Sequence, residues 1–89
     1  MRSKTTRLFR EQYRQLPREV RRQARWAYKQ WQQDPRYPAL QFKRVSRREP
    51  IYSARIGLHW RALALVESNT ATWWWIGSHA DYDELLKQQ

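Results

Sequence analysis

The apolar positions of the chain keep a helical period as far as Asp34 and a strand period after Pro38. Phe9, Tyr13 and Leu16 fall at i, i+4 and i+7, with Arg7, Arg10, Glu11 and Arg14 on the other faces. That spacing predicts an amphipathic helix of about three turns, N-capped by Thr5 or Thr6. Pro17 suits the first position of a second helix, and Glu19 complements the positive first turn. Val20, Ala24, Ala27, Tyr28 and Trp31 form its buried stripe before Asp34-Pro35 ends it, while Arg18, Arg21, Arg22 and Arg25 occupy the opposite face. Residues 5–34 therefore read as a helical hairpin, apolar inside and cationic outside.

Residues 39–77 read as a sheet. Leu40 to Val45 alternates, Ser46 to Pro50 is a polar, basic loop, and Ile51 to Ile56 alternates again with Ser53 and Arg55 on one face. Trp60 to Val66 is apolar on both faces except for Arg61. Thr72 to Ile76, with its three consecutive tryptophans, reads as another buried strand that Gly77 ends. Ser68-Asn69-Thr70 is the turn between these two strands, and the short connections favour an antiparallel meander. Residues 80–87 have the length and composition of a short terminal helix. The expected class is α+β: one domain over 1–89, with an N-terminal helical hairpin packed on a twisted antiparallel sheet of about four strands and a short C-terminal helix.

Charge divides the chain the same way. The 18 Lys and Arg against 8 Asp and Glu give a net +10, and 14 of the cations are arginine. Residues 1–50 carry a net +11 and residues 51–89 a net −1, which points to a polyanionic partner. The 40% hydrophobic and 15% aromatic content excludes a disordered basic tail. Without cysteine there is no disulfide framework or thiol chemistry, and two histidines fall short of a zinc constellation. No apolar run is long enough to span a bilayer and no signal-peptide core follows the basic N-terminus, so a cytoplasmic location away from membranes is expected.

Candidate chemistry begins with two arginines that interrupt apolar strands. If the loop between them is Gly57-Leu58-His59, Ile56 opposes Trp60 and Arg55 opposes Arg61, and both guanidiniums leave one face of the sheet. A two-residue loop would send them to opposite faces. Two adjacent like charges are costly unless an anion comes between them, although Arg55 could instead pair with Glu67 or Glu84. Lys43, out of phase with Leu40 and Phe42, lies on the sheet face away from that strand's apolar side, and Arg44, Arg47 and Arg48 add charge to the same region. His79 and Tyr82 follow the last strand; a histidine exchanges protons near neutral pH, and a hydroxyl three residues on can donate or orient. Cations with one proton carrier are a minimal set for cleaving RNA through its own 2′-hydroxyl, without metal or cofactor. A packing histidine and a core tyrosine are the alternative reading, and His59 reads as a loop residue.

The residues now carry a likeness. Phe9 through Leu16-Pro17, Trp31 to Pro35, Pro38-Ala39-Leu40 with Phe42-Lys43, Tyr52-Ser53-Ala54-Arg55-Ile56-Gly57, Trp60-Arg61-Ala62-Leu63 and Trp75-Ile76-Gly77-Ser78-His79-Ala80-Asp81-Tyr82 resemble small toxins of the RelE/ParE superfamily, most of all the HigB- or RelE-like toxins of bacterial type II toxin-antitoxin systems. The likeness covers almost the whole chain. It implies the same fold and, by analogy with ribonuclease members, ribosome-dependent cleavage of mRNA. On that resemblance Arg61 corresponds to the strand arginine at the scissile phosphate, Arg55 and Lys43 to other sheet cations, and His79 or Tyr82 to a C-terminal general acid. The chain departs from the pattern in offering no obvious Glu or second His as base, in having Trp60 where tyrosine is commoner, and in showing only Lys4-Thr5-Thr6 where members have an N-terminal strand.

The resemblance further implies an acidic antitoxin that covers the basic surface, with mRNA on the ribosome and ribosomal RNA as the other partners; Arg18, Arg21, Arg22 and Arg25 would contact the antitoxin or ribosomal RNA. Two readings of other kinds stay open. One is a non-enzymatic ParE-type toxin that inhibits a protein target such as DNA gyrase, and the other is a plain nucleic-acid-binding module.

Overall fold

The computed structural model describes residues 1–88. In chain order its elements are β1 (Arg2–Thr5), α1 (Arg7–Arg14), α2 (Arg18–Gln33), a 3-10 turn (Pro38–Leu40), β2 (Lys43–Arg44), β3 (Ile51–Ile56), β4 (Trp60–Glu67), β5 (Thr70–Ser78) and α3 (His79–Lys87). The fold is α+β, as the periodicity predicts. The sheet has five strands in the order β1-β5-β4-β3-β2 rather than about four, and it is mixed: β1 runs parallel to β5 while β2 to β5 are antiparallel.

β1 escapes hydrophobic pattern analysis because all four of its residues are polar and it sits at an edge. Backbone bonds extend its ladder at both ends, from Arg2 N to Asn69 O at 2.9 Å and from Thr6 N to Trp73 O at 3.0 Å. Beyond Trp73 the edge of β5 is covered by α1: Gln12 Oε1 accepts from Ile76 N at 3.1 Å, so a donor that would otherwise be orphaned is satisfied.

Thr6 caps α1, its hydroxyl accepting from Phe9 N at 3.1 Å. The helix spans two turns rather than three, and Leu16 is buried in the connection that follows. Pro17 is the N-cap of α2 and not its first helical residue, with φ −54° and ψ 148°. Val20, Ala24, Ala27 and Trp31 form the buried stripe of α2, whereas Tyr28 is exposed and stacks on Trp31 at 6.1 Å. The predicted strand from Leu40 to Val45 shrinks to Lys43–Arg44. Pro38–Leu40 winds as a 3-10 turn, Gln41 takes a left-handed φ of 44°, and Leu40 becomes an anchor only 1% exposed.

Apolar clusters lie on both sides of the sheet. On one side, α2 and Leu40 pack over Ala54, Ile56, Ala62, Ala64, Ala71, Trp73 and Ile76, where small alanines let the helices approach. On the other side, α3 places Tyr82, Leu85 and Leu86 against Ile51, Leu63, Trp74 and Trp75. The tryptophan run serves both clusters because a bulge intervenes: Leu63 faces Trp75 while Ala64 faces Trp73, leaving Trp74 as the extra residue. Two consecutive tryptophans thus join the α3 side, and Ile76 returns to the hairpin side. Gly77 lies inside β5 rather than ending it. A Cβ there would sit 2.7 Å from the Trp75 indole, so the ring occupies the space a side chain would need.

Candidate functional site

The site is built by the β3–β4 hairpin. Gly57 adopts φ +61°, the left-handed turn that a side chain would resist, and the three-residue loop sets the register Ile56 to Trp60 and Arg55 to Arg61. Directly opposed residues of an antiparallel pair share a face, so both arginines project to the α3 side. Lys43 pairs with Ser53, two residues before Arg55, and belongs to that same face. Three cations thus share one surface.

No carboxylate forms an ion pair with these three cations among the described residues. Glu84, one alternative partner for Arg55, binds Lys87 at 3.2 Å instead. Arg55 Nε donates to Gly57 O at 3.0 Å and Arg61 Nη1 to Trp60 O at 2.7 Å. The remaining guanidinium donors stay available to a ligand. Partial burial, and next the charge of Arg55, hold Arg61 below the ordinary arginine pKa; Tyr82 and Asp83 act in the opposite direction. A guanidinium that is partly desolvated beside a like charge is a receptor for an anion.

α3 brings in the second component. Ser78 caps it, accepting from Asp81 N at 3.1 Å, and His79 N donates to His59 O in the hairpin loop at 2.7 Å. The start of the helix is thereby fastened beside the arginine pair. His79 Nδ1 lies 3.0 Å from Asp83 Oδ2, one turn along the helix, with both side chains about half-exposed. This contact leaves Nε2 for a substrate, with the carboxylate holding the ring. Asp83 is the functional candidate that inspection of the sequence missed; its signal was the four-residue helical spacing from His79.

Tyr82 enters the same region differently. Its ring centroid is 5.8 Å from that of His79, but the side chain is buried and its hydroxyl donates to Ser53 Oγ at 3.3 Å. Arg44 is turned to the opposite sheet face from Lys43, pairs with Tyr52, and holds the β2–β3 loop by donating to Ser46 O at 2.9 Å. Arg47 and Arg48 are exposed in that loop. The four α2 arginines divide. Arg21 Nη1 donates to Arg14 O and Leu16 O at the end of α1, and Arg25 Nη1 to Tyr13 Oη at 2.8 Å, so these two tie the hairpin together. Arg22 lies 3.6 Å from Glu19 and Arg18 is exposed. The described residues hold no group of three His, Cys, Asp or Glu that could bind a metal, and no helix long and apolar enough to cross a membrane.

Comparisons with known proteins agree with this fold. No curated protein sequence matches the chain. RelE of the RelB–RelE antitoxin–toxin complex from Methanococcus jannaschii has a similar structure, with a TM-score of 0.74 at 13% identity over 92% of this chain and 96% of that one. YafQ from E. coli strain BL21(DE3) gives 0.72 at 9% identity, covering 92% and 98%. A copper-bound mutant toxin from Helicobacter pylori gives 0.62 at 14%, covering 91% and 97%. These likenesses establish the fold, and a family model described as the ParE-like toxin domain matches residues 18–84. Sheet, hairpin and family match together make the chain a member of the ParE-like toxin domain family and a toxin of the RelE/ParE superfamily of toxin–antitoxin systems.

Proposed function

We propose that this toxin is a metal-independent, ribosome-dependent mRNA endonuclease. The observation that carries the reading is the cross-strand Arg55–Arg61 pair, free of carboxylates and sharing its face with Lys43 beside the His79–Asp83 contact. Arg55 and Lys43 grip phosphates flanking the scissile bond, and Arg61 stabilises the charge that builds on the phosphorane oxygens. The ribose 2′-hydroxyl attacks the adjacent phosphorus, the bond to the 5′-oxygen of the next nucleotide breaks, and a 2′,3′-cyclic phosphate and a 5′-hydroxyl result. His79 carries a proton through Nε2 while Asp83 orients the ring. Tyr82 supports this arrangement from the core through Ser53. Arg47 and Arg48 bind RNA outside the reacting phosphate, and Arg18 meets an acidic antitoxin or ribosomal RNA.

The test is to incubate the toxin with translating ribosomes and map mRNA ends. His79→Ala is expected to slow cleavage by about 10²- to 10⁴-fold, the range for removing a general acid or base. Tyr82→Phe is expected to slow it far less. Unchanged cleavage in His79→Ala would remove the reading.

The match to a ParE-like toxin domain favours a second reading, a non-enzymatic toxin that binds a protein target such as DNA gyrase. Growth arrest at full strength by the His79→Ala, Tyr82→Phe double variant, with no RNA cut by the wild type, would establish it over the first. The antitoxin complex of the Methanococcus jannaschii toxin supports a similar partner here, an acidic segment covering Arg55 and Arg61.

A further inference from the structure

Exposed apolar groups gather where Arg55 reaches the edge of the sheet. Trp26 on α2 is 50% exposed, Tyr37 37%, and Leu58 at the tip of the β3–β4 hairpin 68%. Trp26 and Tyr37 meet edge to face with centroids 6.0 Å apart. Trp26 and Leu58 line a groove of about 530 Å³ together with Arg22, Arg55 and Gly57; no acidic residue lines it, and Glu19 lies 3.6 Å from Arg22 one turn back along α2. β2 pairs only with Tyr52 and Ser53, which leaves the outer edge of β3 without a strand partner from Ala54 onward. Arg55 belongs to both surfaces: it faces Arg61 across the hairpin and also lines this groove.

An exposed indole in a groove that two arginines also line is suited to holding unpaired nucleotides. The ring face stacks a base of any sequence, and the guanidiniums take the phosphates on either side. An acidic protein segment would satisfy the arginines but brings no plane for the indole, whereas single-stranded RNA supplies both. We propose that the groove is a nucleobase subsite: one unpaired base stacks on Trp26, steadied by Tyr37 and bounded by Leu58, while Arg22 and Arg55 hold its flanking phosphates. The strand whose scissile phosphate lies at Arg55 and Arg61 continues over the outer edge of β3 into this groove. This subsite rests on the ribonuclease reading above and adds to it a direction for the bound strand.

The probe is a fluorescent single-stranded oligoribonucleotide, 2′-O-methylated throughout so that it cannot be cut through its 2′-hydroxyl, together with a series lacking one base at a time. Anisotropy titrations are expected to show Trp26→Ala weakening binding by about 5- to 100-fold, the range for losing one stacked base. Trp26→Phe should recover most of that loss. One abasic position should weaken the wild type by a similar factor and leave Trp26→Ala unaffected. The salt slope should stay the same in Trp26→Ala and become shallower in Arg22→Ala. Trp26→Phe should melt close to the wild-type temperature, and Trp26→Ala, which loses the contact with Tyr37, should melt lower but with the same circular dichroism spectrum before the transition.

Wild-type affinity in Trp26→Ala, or no abasic position coupled to it, overturns the subsite. If Trp26→Ala keeps RNA but loses an acidic antitoxin segment, the patch is a protein contact and the subsite is equally overturned. Ribosome assays separate this failure from that of the ribonuclease reading. A toxin that cuts mRNA yet ignores Trp26 loses only the subsite, and one that neither binds nor cuts RNA loses both.

Discussion

Arg61 and Arg55 stand opposite each other, and neither forms an ion pair with a carboxylate among the described residues. Arg61 is held below its ordinary pKa, so its charged form is disfavoured by folding. The sign follows: the penalty is present at every pH below the folded pKa and disappears only as the group deprotonates in strong alkali. Arg61→Met is therefore expected to raise Tm, by the same amount from about pH 6 to about pH 8, while lowering mRNA cleavage by about 10²-fold or more. Thermal melts across that range and end mapping on ribosomes check the two halves. A short oligonucleotide should raise the Tm of the wild type, because it binds only the folded chain, and should raise that of Arg61→Met less. Asp83→Asn leaves the His79 ring without its carboxylate. We expect cleavage to fall about 10- to 100-fold with RNA affinity unchanged, short of the ~10⁴-fold cost of losing a buried orienting aspartate; single-turnover rates and anisotropy separate the two effects.

Elements show where sequence patterns suffice and where they fail. α2, β3 and β4 fall where their periods put them, because each buries a face whose side chains repeat at 3.6 or 2 residues. The Arg55–Arg61 register depends on loop length, which the sequence left at two or three residues; the structure has the three-residue loop, with Gly57 making the turn. β1 was not legible, since a polar edge strand is held by a ladder and leaves no hydrophobic trace. Nor was the bulge at Trp74, which breaks alternation to serve two cores. Asp83 is not legible as a site residue because an acid on a short exposed helix has the pattern of a solvated charge, and the burial of Tyr82 depends on packing that spacing does not carry. Two stability predictions belong at this scale. Gln12→Ala orphans the Ile76 amide and is expected to cost about 1–3 kcal/mol. Gly77→Ala forces the Trp75 ring to move and is expected to cost a similar amount, about 1–3 kcal/mol. Denaturant midpoints report both.

Across the whole molecule, charge is distributed unevenly. The +11 half supplies the hairpin, β2 and its basic loop, whereas the −1 half supplies most of the sheet and α3. RNA affinity is expected to fall steeply with salt, with a slope that becomes shallower by about one for each phosphate-contacting arginine removed. Titrations of Arg55→Ala and Arg47→Ala over a salt series check this. Arg21 and Arg25 already bond the hairpin, so replacing either should lower stability more than it changes that slope. Their apparent membership in one basic face conceals two jobs, and only the structure separates them.

The parallel pairing of β1 with β5 joins Arg2 to Thr70 and Thr5 to Trp73, so the first strand of the chain waits for almost the last. β4 and α1 lean on β5 as well. A fragment ending at Glu67 is accordingly expected to melt without a cooperative transition in circular dichroism. The arginine pair is therefore in place before the sheet can close, whereas the His79–Asp83 contact forms only after β5 has paired with β4 and β1.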